Sequence, residues 1–121
     1  YKNTTPPREY VLTCDNDIFY LNQYEFSNQM IKDALEGVAN GKYDMISVRP
    51  SSLDEQCISY YIERAKGKNL RIRLYATVDE DNEYVFERES CNLTSINYWI
   101  QESMTNNTLP DLSDWDEIKK K

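Results

Sequence analysis

The sequence predicts a single α/β domain of the α+β kind. A mixed sheet of about five strands carries helices mainly on one face, in the order β-β-α-β-α-β-β-α. Three observations predict it. A chain of 121 residues fits one domain and can bury one real core. Apolar residues at 40% and charged residues at 29%, with few Gly and Pro, belong to a folded protein. Segments of period two and of helical period alternate along the chain, separated by turn residues.

The elements follow in order. Residues 1–8, with Pro6 and Pro7, read as a polar linker following an anchor or another domain. The chain opens at Tyr1 rather than Met, as a piece of a longer protein or a processed form does. Residues 9–14 and 17–21 form a hairpin around Asp15 and Asn16. In that register Leu12 faces Phe19, Tyr10 faces Leu21 and Val11 faces Tyr20. Apolar pairs on both faces predict cover on at least part of each.

A first helix is predicted over 23–38. Phe26, Met30, Ile31, Ala34, Leu35 and Val38 form its stripe, and Asn40 and Gly41 end it. Residues 42–49 follow as a short strand that Pro50 stops. A second helix is capped by Ser52 with Glu55 three residues on. Cys57, Ile58, Tyr61, Ile62 and Ala65 make its buried stripe, and Gly67 terminates it.

Residues 70–79 and 83–90 make a second hairpin. A three-residue loop, Glu80 to Asn82, sets Ala76 against Phe86, Tyr75 against Glu87 and Arg73 against Glu89. It gives better pairs than a loop of two or four. A third helix, capped by Thr94, carries Ile96, Trp99, Ile100 and Met104. The domain then spans 9–104. The segment 105–121 is a polar, partly mobile tail, with a short amphipathic turn around Trp115 and Ile118 and three closing lysines.

The net charge of −7 repels phosphate, so direct nucleic-acid binding is disfavoured, as is an anionic membrane surface. No apolar stretch is long enough to span a bilayer, so a membrane enters only through an anchor outside this sequence. With no histidine, Ser-His-Asp and Cys-His catalysis and His-ligated zinc are excluded. No glycine loop has phosphate-binding spacing, and the acidic hairpin tips lack a calcium-loop pattern. The expectation is a non-enzyme without cofactor or metal. Ten tyrosines lean towards recognition. Tyr60, Tyr61, Tyr75, Tyr84, Tyr98 and Trp99 are the candidate interaction or pocket residues.

Cys14, Cys57 and Cys91 allow two readings. In a reducing compartment all three are small core residues. In an oxidising one, Cys57 on the second helix bridges Cys91 at the end of the last strand, and Cys14 is a free thiol. That bridge closes a loop of about 34 residues, worth roughly 4 kcal/mol in the chain-entropy model.

The run from Gln56 and Cys57 through the second helix, the hairpin 70–87 and Cys91 resembles the periplasmic domain of ToxR-like and CadC-like membrane-anchored transcription regulators. There a helix-borne cysteine is followed by a hairpin and a closing cysteine. The resemblance covers about residues 8–92 and implies a periplasmic sensory module anchored to the inner membrane. It would answer an envelope signal, such as a small apolar molecule, and pair with a small membrane-anchored accessory protein. The segment 23–49 and the tail are long for that family. The competing expectation is a small, acidic, cytoplasmic immunity protein or phage-encoded inhibitor, which covers a basic surface of a partner enzyme. An exported sensor should show a bridge and an apolar pocket or open sheet edge. An inhibitor should show reduced cysteines and an acidic face.

Overall fold

The computed structural model describes residues 9–22, 24–51, 57–79 and 82–118. The expected linker at 1–8, the start of the first helix at Gln23, the capping pair Ser52 and Glu55, the loop residues Glu80 and Asp81, and the final lysines lie outside them. The fold is α+β. Strands β1 (Glu9–Cys14) and β2 (Asp17–Asn22) lead to helix α1 (Asn28–Ala39). Strands β3 (Met45–Pro50), β4 (Cys57–Arg64), β5 (Leu70–Asp79) and β6 (Asn82–Ser90) follow, then helix α2 (Leu93–Asn106) and strand β7 (Asp116–Ile118). Among the described residues the seven strands form one sheet, ordered β2-β1-β3-β4-β5-β6-β7. Every neighbouring pair is antiparallel, so the sheet is larger than expected and not mixed.

The first hairpin has the expected register, with Tyr10 opposite Leu21, Val11 opposite Tyr20 and Leu12 opposite Phe19. Asp15 takes the left-handed conformation, φ 54°, and its carboxylate accepts from the Asp44 and Met45 N–H groups. That ties the hairpin tip to the start of β3.

The first helix starts later than expected, because the Glu25 and Phe26 N–H groups turn back to the Asn22 carbonyl. The Asn22 side chain accepts from the Tyr24 and Glu25 N–H groups. Ser27 then caps α1 by accepting from Met30 N–H, and Asn40 ends it as expected. Phe26 stays outside the helix and packs on Tyr10 with ring centroids 4.6 Å apart.

The expected second helix is strand β4. Ile58, Tyr60 and Ile62 are buried and alternate with the more exposed Ser59, Tyr61 and Glu63. The strand is hydrogen-bonded on both sides, to β3 and to β5. Ile58 and Ile62 lie four apart and suit both periods, so Tyr60 is the residue that separates them. Three β-branched or aromatic residues in succession, Tyr60 to Ile62, also favour a strand.

The second hairpin is two residues out of the expected register. Leu74 pairs with Phe86, Ala76 with Tyr84, Arg73 with Glu87 and Arg71 with Glu89. Its tip closes with Asp79 opposite Asn82, and the register shifts between Thr77 and Asp79. A two-residue tip alone would set Leu74 against Glu87. One bulged position restores the alternation, so apolar residues meet on one face and ion pairs on the other.

Helix α2 forms as expected, although Asn92 rather than Thr94 caps it, by accepting from Ser95 N–H. Both helices pack on the face that carries Tyr10, Leu12, Ile46, Val48, Tyr60 and Ile72. Arg64 holds the end of α1 there, donating to the carbonyls of Val38 (3.0 Å) and Tyr43 (2.6 Å). The expected amphipathic turn is a buried Trp115 followed by β7, which pairs with β6.

Candidate interaction surface

The six aromatic candidates fall into separate places. Tyr60 belongs to the core. Its hydroxyl donates to the Trp99 carbonyl (3.2 Å) and shares a 2.7 Å hydrogen bond with Ser103 Oγ. Burial raises its pKa well above the ordinary phenol value, although the Ser103 bond opposes that. Trp99 packs edge-on against Trp115 at 5.2 Å, with the Arg88 guanidinium 4.7 Å over its ring. Tyr84 and Tyr98 are exposed on β6 and α2.

Tyr61 and Tyr75 are the candidates whose rings meet. They meet edge-to-face at 5.1 Å on the sheet face that the helices leave open. With Met45, Glu63, Arg71 and Arg73 they line a shallow cavity of about 180 Å³. Its cations are spoken for. Arg73 donates to Glu87 at 2.9 Å, while Arg71 lies 3.2 Å from Glu63, 3.9 Å from Glu87 and 3.8 Å from Glu89. Two guanidiniums among three carboxylates leave no surplus positive charge for a phosphate.

The three cysteines are free. Cys57, next to Ile58, lies at the Thr77 end of β5. Cys91 follows Ser90, which pairs with Leu70 at the other end of β5. Seven residues of strand separate those ends by about 23 Å, far beyond disulfide reach. The expected Cys57–Cys91 proximity is therefore corrected: it needed a helix laid over the last strand, and that helix is strand β4. Cys14, at the end of β1, is buried. Its thiol pKa is raised, first by desolvation and then by Asp15 and Asp17.

The surface that stands out is one the sequence reading treated as partly covered. Strand β2 is an edge of the sheet, and Ile18, Phe19 and Tyr20 are 55%, 44% and 73% exposed there. Tyr24 beside them is 81% exposed. The cover expected on part of each face is present on β1, where Tyr10, Val11, Leu12 and Cys14 are buried, while on β2 only Leu21 is. The exposed residues Asp17 and Glu25 stand at the two ends of this edge, and β2 carries no basic residue. Three consecutive apolar residues were the available signal. Such a run puts apolar groups on both faces, which suits either a central strand or an edge awaiting a partner.

Among the described residues no group of His, Cys, Asp or Glu is arranged to hold a metal ion, and no helix is long and apolar enough to cross a membrane. No protein-family model matches the chain, and no curated protein or solved structure shows significant similarity to it.

Proposed function

We propose that this chain is a non-catalytic protein-binding domain of the inhibitor or immunity type. It seats an acid-rimmed apolar patch on a basic surface of a partner protein. The observation that carries the reading is the β2 edge: Ile18, Phe19 and Tyr20 exposed in succession on its two faces, with Asp17 and Glu25 at its ends. Large apolar groups exposed along one strand edge cost solubility, and their usual use is contact. The carboxylates around them, on a chain of net charge −7, select cationic partners and speed the encounter. The sensory reading drew on a helix-borne cysteine bridged to Cys91. Cys57 lies on a strand, and all three thiols are free, so that reading has the weaker support.

The test is capture from an extract of the source cells on the immobilised domain, followed by assay of the captured protein with free domain added. A basic protein should be held at about 0.05 M salt and released by about 0.5 M, where screening shortens to a few ångströms. Its activity should fall on binding, and an Ile18→Lys, Tyr20→Lys double variant should fail to hold it. Capture that is indifferent to salt and to that double variant would refute the proposal. Denatured without reductant, the domain should react with a thiol reagent at all three cysteines.

A further inference from the structure

We infer that the partner binds by strand addition: an extended, apolar segment with Lys or Arg at its ends pairs with the free edge of β2. This deepens the protein-binding reading above and rests on it. The backbone supplies the argument. In an antiparallel ladder both backbone groups of a residue face the same neighbour, and the direction alternates along the strand. Asn22 turns its N–H to the Glu25 carboxylate (2.9 Å) and its C=O to the N–H groups of Glu25 and Phe26 (3.1 Å each), away from β1. Ile18 and Tyr20 share that alternation, so their N–H and C=O groups point out from the sheet. Nothing in the ladder among the described residues meets them, because β2 pairs only with β1.

An edge of this kind is normally guarded by lysine, proline, a bulge or shortness. Strand β2 has six residues in regular register, without proline or lysine. The opposite edge, β7, has three residues, two of them acidic. The guarding is therefore one-sided. The side chains set the chemistry of the incoming segment. Ile18 and Tyr20 rise on one face of the edge and Phe19 on the other, so the segment meets apolar groups on both faces. Asp17 stands at one end of the strand and Glu25, one carboxylate oxygen of which accepts from Asn22 N–H, at the other, so cationic side chains suit both ends of the segment. A second copy of this chain fits poorly. A symmetric antiparallel pairing would bring Asp17 of each protomer towards Glu25 of its partner.

The test uses the ¹⁵N-labelled full chain and a blocked peptide alternating Val and Thr, with Lys at each end. The amides of Ile18 and Tyr20 should shift and exchange more slowly as peptide is added. A Glu-ended peptide should bind at least about ten-fold more weakly. Tyr20→Pro removes one outward N–H at a position where an edge tolerates proline. It should lose the peptide while keeping a folded amide spectrum. Equal binding of both peptides, or shifts confined to other strands, would overturn the inference. So would protection of the Ile18 and Tyr20 amides that appears with protein concentration alone, which would make a second copy the occupant. If a captured partner is lost on Ile18→Lys, Tyr20→Lys but kept on Tyr20→Pro, the patch binds through side chains alone. Strand addition then falls and the protein-binding reading stands.

Discussion

Two tyrosine hydroxyls carry polar contact between the sheet and α2. Tyr10 donates to the Met104 carbonyl at 3.1 Å, and Tyr60 reaches the Trp99 carbonyl and the Ser103 hydroxyl. Ser103 is the one buried polar residue among those described, so Tyr60 and Ser103 satisfy each other inside an otherwise apolar layer. Replacing Tyr60 with Phe keeps the ring and strips the hydroxyl, at a cost of about 1–2 kcal/mol in urea unfolding. The same residue makes stability depend on alkaline pH. Burial raises the folded-state pKa of Tyr60 above the ordinary phenol value and that of Cys14 above the ordinary thiol value. Below these values both groups keep their protons folded or unfolded, and the contribution is complete. As pH rises past them the unfolded state loses its protons first, so stability falls. The urea midpoint should be level to about pH 9 and decline beyond it. Tyr60→Phe should flatten the part of the decline above about pH 10. An unchanged slope in that variant would mean the phenol does not titrate from a buried site.

Among the elements, the first hairpin and the amphipathic helices were readable because each has a single consistent period and a local stop. The turn at Asp15 and Asn16 fixes one register, and the step of three from Ile96 to Trp99, beside the steps of four to Ile100 and Met104, fits only a helix. Strand β4 was not readable in the same way, because the Ile58 and Ile62 spacing satisfies both periods and the preceding Ser52 and Glu55 imitate a helix start. The hairpin of β5 and β6 hid its register behind a bulge, which pattern matching against unbroken ladders does not allow for. The β2 patch escaped for a related reason: hairpin pairing accounts for one neighbour of a strand and says nothing of the other. The two readings of β4 predict opposite orders of damage. In a helix carrying Cys57, Ile58, Tyr61 and Ile62 inward, Tyr61 is the costly residue. In the strand, Tyr60→Ala should cost about 3–5 kcal/mol, Ile62→Ala about 2–5, and half-exposed Tyr61→Ala about 1 or less. Urea midpoints of the three variants settle the order, and a Tyr61 variant weaker than the Tyr60 one would contradict the strand.

At the scale of the whole molecule, the C-terminal segment decides which sheet edges are open. Beyond α2 the chain returns across Trp99, turns at Leu112 to Trp115 with a 3.0 Å backbone bond, and lays β7 on β6. A three-residue strand cannot hold itself there, and Trp115 supplies the grip. Its side chain is buried, edge-on to Trp99, beside the partly buried Leu112. The arrangement closes one edge with a short acidic strand and leaves β2 as the longer edge among the described residues, so the proposed strand addition has one long edge to use. Trp115→Ala should therefore cost about 3 kcal/mol or more. Trp115→Phe should cost less than half of that, since it keeps an apolar ring and the indole N–H gives no hydrogen bond to the protein. Ending the chain after Thr108 removes both the grip and the strand. That uncovers the β6 edge, so the shortened protein should melt lower and associate as its concentration rises. Thermal melting with light scattering reads both effects. A shortened chain that melts with the full-length protein and stays monomeric would show that β7 guards nothing, and β2 would lose its claim to be the one edge left open for a partner.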